Sequence, residues 1–108
     1  MDAIEGATVV AVDGELDMAT ADRVIGAVAE LPTLHDPLVL DLSGVSFIDS
    51  SGMRALIEVA DHAVGVGRPM GLFQPSMAVT RLLDLVGLRS RFSEIADTEP
   101  ATLAALDI

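Results

Sequence analysis

The sequence predicts an α/β domain with a small, mixed and mostly parallel sheet and helices alternating between its strands. Three observations carry that prediction. Short runs rich in Val, Leu and Ile alternate with segments whose apolar residues recur every three or four positions. The connections between them are short and marked by Gly, Pro or Asp. One run, Pro37 to Leu42, is almost continuously apolar, as a parallel strand covered on both faces would be. At 108 residues without cysteine, the chain reads as one domain over 1–108, with a core large enough to dispense with disulfides and cysteine–histidine zinc sites.

Taken in order, Thr8 to Val12 is the first buried strand, closed by Asp13 and Gly14, with a very short strand at Asp2 to Ile4 beside it. A helix follows, capped by Asp17 or Thr20, with Val24, Ile25, Val28 and Leu31 on one face and Pro32 ending it. After the second strand, Pro37 to Leu42, comes a loop over Ser43 to Phe47. The next helix opens at the turn Asp49-Ser50-Ser51-Gly52, and its apolar stripe is Met53, Leu56, Ile57, Ala60 and Val64. Gly65 and Gly67 stop it. Pro69 to Phe73 supplies a third strand. Ser76 caps a helix that turns Val79, Leu82, Leu83 and Val86 inward; Gly87 suits a left-handed end, with Leu88 folding back on Leu83. A short strand over Phe92 to Ile95 precedes a last helix opened by Thr98 or Glu99, with Pro100 in its first turn.

Seventeen acids stand against six arginines, with no lysine, for a net charge of −11. Such a surface repels phosphate backbones and anionic lipid, which argues against nucleic-acid binding and membrane docking; it suits a basic protein surface, or solubility alone. Three phenylalanines are the only aromatics, so no stacking platform for bases is available. The start of the chain lacks the basic and apolar regions of a signal peptide, and no apolar stretch is long enough to cross a bilayer. The expectation is a soluble, cytoplasmic domain without membrane insertion.

The turn from Asp49 to Gly52 concentrates the chemistry. A helix N-terminus presents unpaired N–H groups and a partial positive charge, so a serine there is either a cap or a place for a phosphate. Ser50 reads as the N-cap, while Asp49 either caps in its stead or positions the serine. Gly52 serves turn geometry or the close approach of another backbone. Arg54 lies four residues beyond Ser50 on the same face: it either neutralises a phosphate on Ser50 or pairs with Glu58. Ser50, Arg54, Glu58 and His62 line the polar side of this helix. Together with the loop before it, where Phe47 offers an apolar contact or a plug for the core edge, they form the expected partner-binding surface. Glu15 and Asp17 flank Leu16; nothing adjacent completes a metal shell, and Asp17 reads as a helix cap.

The whole segment from Leu38 to Glu58 resembles the phosphoserine motif of STAS-domain anti-sigma-factor antagonists. Gly14-Glu15-Leu16-Asp17 with Ala19-Thr20-Ala21, and Pro75-Ser76 followed by Val79-Thr80-Arg81-Leu82-Leu83 and Val86-Gly87-Leu88, are similar in the same order. The resemblance implies a STAS-type fold and makes Ser50 the phosphate acceptor, with Ser51 as the alternative. It implies a partner-switching cycle in a stress response. Unphosphorylated, the domain would hold an anti-sigma factor that is also its serine kinase; phosphorylated, it would release it, and a serine phosphatase would reset it, so regulating sigma-factor-dependent transcription. Glu15 and Asp17 would then be acidic contacts to that partner, beside Asp49, Ser51 and Gly52.

No catalytic set competes with this reading. The turn lacks the glycine two residues before the nucleophile of a hydrolase elbow, and His35 and His62 occupy no evident base position. No P-loop or dinucleotide-binding glycine pattern is present, so a phosphate on Ser50 must come from a partner's ATP. The expectation is a binding module, neither an enzyme nor dependent on a metal or cofactor. The same fold also serves as an unphosphorylated scaffold or a transporter-associated subunit, which is the alternative. A small-ligand sensor would need an interior cavity, and no polar cluster within the apolar stripes points to one.

Overall fold

The computed structural model describes residues 8–31, 37–95 and 104–108. Among these residues the strands are β1 (Thr8–Leu16), β2 (Leu38–Ile48), β3 (Met70–Phe73), β4 (Ser93–Ile95) and β5 (Ala104–Asp107). The helices among them are α1 (Ala21–Ala29), α2 (Ser50–Gly65) and α3 (Met77–Val86), with a 3₁₀ turn at Arg89–Arg91. The sheet order is β4-β3-β2-β1-β5, and every pairing among the described strands is parallel.

Strand alternation builds the core. Val10 and Val12 of β1 and Leu38, Leu40 and Leu42 of β2 point to one face. There they meet Val24 and Val28 of α1, Leu56 and Val59 of α2, and Val79 and Leu83 of α3. Val9 and Val39 point the other way, buried with Phe73 in a smaller cluster. The near-continuous apolar run of β2 is therefore accounted for on both faces.

Both central strands are longer than their sequences suggest. Asp13 and Gly14 do not close β1; the strand shifts register between Ala11 and Asp13 and again between Gly14 and Glu15, then continues to Leu16. Gly14 makes this possible with a φ of +118°, and a Cβ there would stand 1.9 Å from the carbonyl oxygen of Ile108. Ser43 to Phe47 is likewise no loop but the second half of β2. Gly44 packs so closely on Asp13 that a Cβ would meet its carboxylate at 1.6 Å.

The other differences have local causes. The last segment ends as β5, not as a helix: Ala104–Asp107 adds to the free edge of β1, and the Ile108 N–H donates to the Asp13 carbonyl at 2.8 Å. Edge pairing overrides the helical preference of Ala and Leu. The expected helix start at Thr98 to Pro100, and the strand at Asp2 to Ile4, lie outside the described residues. Val64 faces solvent; the buried stripe of α2 runs through Met53, Leu56, Val59, Ala60 and Ala63. Val86 is also half-exposed. The end of α3 is as expected: Gly87 is left-handed with φ 72°, and the Leu88 N–H donates to the Leu83 carbonyl at 2.9 Å. Ser76 caps the other end, its hydroxyl accepting from the Val79 N–H, while its own N–H is tied to the Leu42 carbonyl of β2.

Candidate functional site

The ends of β1 and β2 project beyond the rest of the sheet. β3 pairs with β2 only as far as Asp41, and β5 pairs with β1 only as far as Asp13. From there the two strands continue together, with Glu15 beside Phe47 and Leu16 beside Ile48. Both then turn into helices, β1 towards α1 and β2 into α2. The Asp49 N–H donates to the Leu16 carbonyl at 3.3 Å and locks the two exits together.

Asp49 is the N-cap of α2. Its backbone is extended (φ −117°, ψ −169°), and its Oδ1 accepts from the N–H groups of Ser51 at 2.9 Å and Gly52 at 3.0 Å. Ser50 is therefore not the cap but the first helical residue, exposed on the rim, while Ser51 is half-buried. Gly52 is buried against the strand ends. A Cβ there would lie 2.2 Å from the Leu16 carbonyl oxygen and 2.8 Å from side chains of Leu16 and Ile48. The close approach that Gly52 allows is thus within the domain itself.

The preceding turn is held by Thr20. Its hydroxyl donates to the Glu15 carbonyl at 2.6 Å and accepts from the Asp17 N–H at 3.0 Å. Thr20 occupies the N-cap position of α1 without a side-chain cap bond, and the Asp17 carboxylate accepts from the Ala19 N–H inside the turn. Neither residue caps α1 by its side chain as expected. Glu15 is exposed next to Phe47, on the same end of the molecule as Ser50.

Arg54 pairs with Glu58 at 2.5 Å and, across the helix interface, with Asp22 of α1 at 3.6 Å. The hydrogen bond and charge of Glu58, and more weakly Asp22, raise the Arg54 pKa above its ordinary value. Of the two roles expected for Arg54, the pairing with Glu58 is present in the unmodified chain. His62 lies about 18 Å along α2 from Ser50 at helical rise. It lines a different groove, with Ile25, Val28 and Glu58, between α1 and α2.

One set of residues escaped the sequence reading. A groove of about 260 Å³ between α2 and α3 is lined by Ser50, Met53, Arg54, Ile57, Leu82 and Val86, among others. Leu85 on α3 is largely exposed. The signal was present in α3, which carries apolar residues at Met77, Ala78, Val79, Leu82, Leu83, Leu85 and Val86, more than one buried stripe can use. Among the described residues no group of three or more acidic or histidine side chains gathers as a metal site would require, and no helix is long and apolar enough to cross a membrane.

Comparison with known proteins gives this geometry a family. A family model for the STAS domain matches residues 1–101. The chain belongs to the STAS family. It is 33% identical over 91 residues to the anti-sigma-F factor antagonist RsfB of Mycobacterium tuberculosis, covering 81% of this chain and 71% of that protein. Its structure is similar to that of an anti-sigma factor antagonist from Mycobacterium paratuberculosis, with a TM-score of 0.66 and 31% identity over 86% of this chain and 80% of that one. A sulfate transporter family protein from Wolinella succinogenes shares the STAS fold at a TM-score of 0.73 and 21% identity, covering 84% of this chain and 77% of that one.

Proposed function

We propose that this STAS domain is an anti-sigma-factor antagonist switched by phosphorylation of Ser50, and that it acts by binding, without catalysis of its own. The observation that carries the proposal is the division of labour at the start of α2. The Asp49 carboxylate accepts from the Ser51 and Gly52 N–H groups, which leaves the exposed Ser50 hydroxyl outside the cap and accessible to a kinase. The 33% identity to RsfB supports the antagonist role.

The unmodified chain binds an anti-sigma factor through Glu15, Asp17, Phe47, Asp49, Ser50, Ser51, Arg54 and Glu58, with the buried Gly52 holding the turn in place beneath them. That partner is also the serine kinase. Phosphate adds about −1.5 to −2 charge, and a helix N-terminus favours that charge by about 0.3–1 kcal/mol at an exposed site. The domain therefore stays folded when modified, and the switch acts on the interface: a charge placed there that no cation of the partner pairs costs about 2–5 kcal/mol of binding. A separate serine phosphatase restores the binding form in the cytoplasm.

The test is intact-mass and peptide mass spectrometry of the chain isolated from its own cells, beside Ser50→Ala. Phosphate on Ser50 that is absent from the variant is the expected result. Phosphate on Ser51 moves the site by one residue. No phosphate in any growth or stress condition overturns the switch in favour of an unphosphorylated scaffold or transporter-associated subunit.

A further inference from the structure

We infer that the polar stripe of α2 is a relay: a phosphate on Ser50 draws Arg54 from Glu58, and Glu58 then pairs with His62 in the groove between α1 and α2. The inference rests on the proposed function and couples it to a pH-sensitive group about 18 Å from the serine at helical rise.

Ser50, Arg54, Glu58 and His62 follow one another at intervals of four, so each is the next one's neighbour one turn along the same side of the helix. All four are exposed. In the unmodified chain Arg54 Nη1 donates to Glu58 Oε1 at 2.5 Å, and its Nη2 stands 3.6 Å from Asp22. Glu58 is the carboxylate that two grooves share. It lines one with Ser50 and Arg54, and the other, of about 240 Å³, with His62. From α1 the lining of that second groove is apolar, Ile25, Val28 and Ala29, and Glu30 is the first charge after them. Asp61, adjoining His62 on α2, is engaged by Arg91.

The direction of each pair decides which arrangement a phosphate favours. In a helix an i,i+4 ion pair is stronger with its anion nearer the N-terminus, toward the positive end of the macrodipole. Arg54 with Glu58 runs the other way, cation first. A phosphate on Ser50 with Arg54, and Glu58 with protonated His62, both run anion first. A phosphate of about −1.5 to −2 charge also outcompetes a single carboxylate for the guanidinium, whose planar fork fits its oxygens. One poorly directed pair is thus exchanged for two well directed ones. The coupling is reciprocal: a proton on His62 draws Glu58 away and leaves Arg54 to the phosphate. This support for the phosphate is present below about pH 6.5, where an imidazole is charged, and fades above it.

The test uses the full chain with phosphoserine installed at position 50 during translation, which removes any dependence on a kinase. Proton NMR follows the His62 ring, its resonances assigned by their loss in His62→Gln. Salt is held at about 0.15 M, where a Debye length of about 8 Å screens the phosphate's own field along the helix. At about pH 6.5 the ratio of protonated to neutral His62 should rise about twofold on phosphorylation, the effect of one exposed i,i+4 pair. Arg54→Ala should show that rise without phosphate and no further change with it, and Glu58→Gln should show no rise at all. Equal ratios in the two forms of the wild-type chain overturn the relay and leave the Ser50 reading intact. A rise that survives Glu58→Gln overturns it too, because the signal then bypasses the carboxylate. A chain that its own cells never phosphorylate fails the functional reading by the separate mass-spectrometric test, and the relay with it.

Discussion

Asp49 and Gly52 perform different tasks in one turn, and their substitutions should separate. Asp49→Ala removes a cap that accepts two N–H groups, and should lower stability by about 1 kcal/mol in a denaturant titration. Gly52→Ala forces a methyl onto the Leu16 carbonyl, where backbone has to shift; overpacking of this kind costs about 1–3 kcal/mol. It should also lower partner binding, because the projecting strand ends move with it. The sequence left the capping residue open, since Asp and Ser are equally good caps. The choice depends on the extended backbone at Asp49 and its tie to Leu16, neither of which a local pattern contains. Arg54 illustrates the same point across elements: its partner Asp22 sits on another helix. A phosphate on Ser50 should nonetheless attract Arg54, one turn away, from its carboxylates. Arg54→Ala should then raise the second phosphate pKa seen by phosphorus NMR, because the cation that favours the dianion is gone; an unchanged pKa would leave Arg54 as a partner of Glu58 and Asp22 only.

At the scale of the elements, helices were legible wherever they begin or end on a strong local signal. Ser76, Gly87 and the Asp49 turn all mark boundaries that the fold keeps. Strand lengths were less legible, because Asp13-Gly14, read as the end of a strand, and Gly44, inside a segment read as a loop, are the sites where two long strands shift register and touch. Their identity as bulges depends on the neighbouring strand. The segment at Ala104–Asp107 is a stronger case: its composition suits a helix, and only the edge of β1 makes it a strand. In α1, Gly26 is an exposed interior residue with nothing within 4 Å of a built Cβ. Gly26→Ala should therefore stabilise the domain by about 0.5–1 kcal/mol, read as a rise in melting temperature. A fall would mean that this face of α1 is not free.

For the molecule as a whole, charge and topology act together. The projecting ends of β1 and β2 carry Glu15, Phe47 and the Ser50 turn clear of the sheet, beside the apolar face of α3, on a chain with a net charge of −11. Association with a basic partner should therefore slow steeply as salt rises, measured as the on-rate, while the dissociation rate changes less. The family was legible from the order of its motifs; the apolar face was not, because exposure of Leu85 and Val86 depends on how α3 lies against β2. The most direct measurement compares the affinities of the unmodified chain and the chain phosphorylated on Ser50 for the anti-sigma factor. The phosphorylated chain should bind at least about thirtyfold more weakly, the lower end of the cost of an unpaired interfacial charge. Equal affinities would contradict a switch at Ser50.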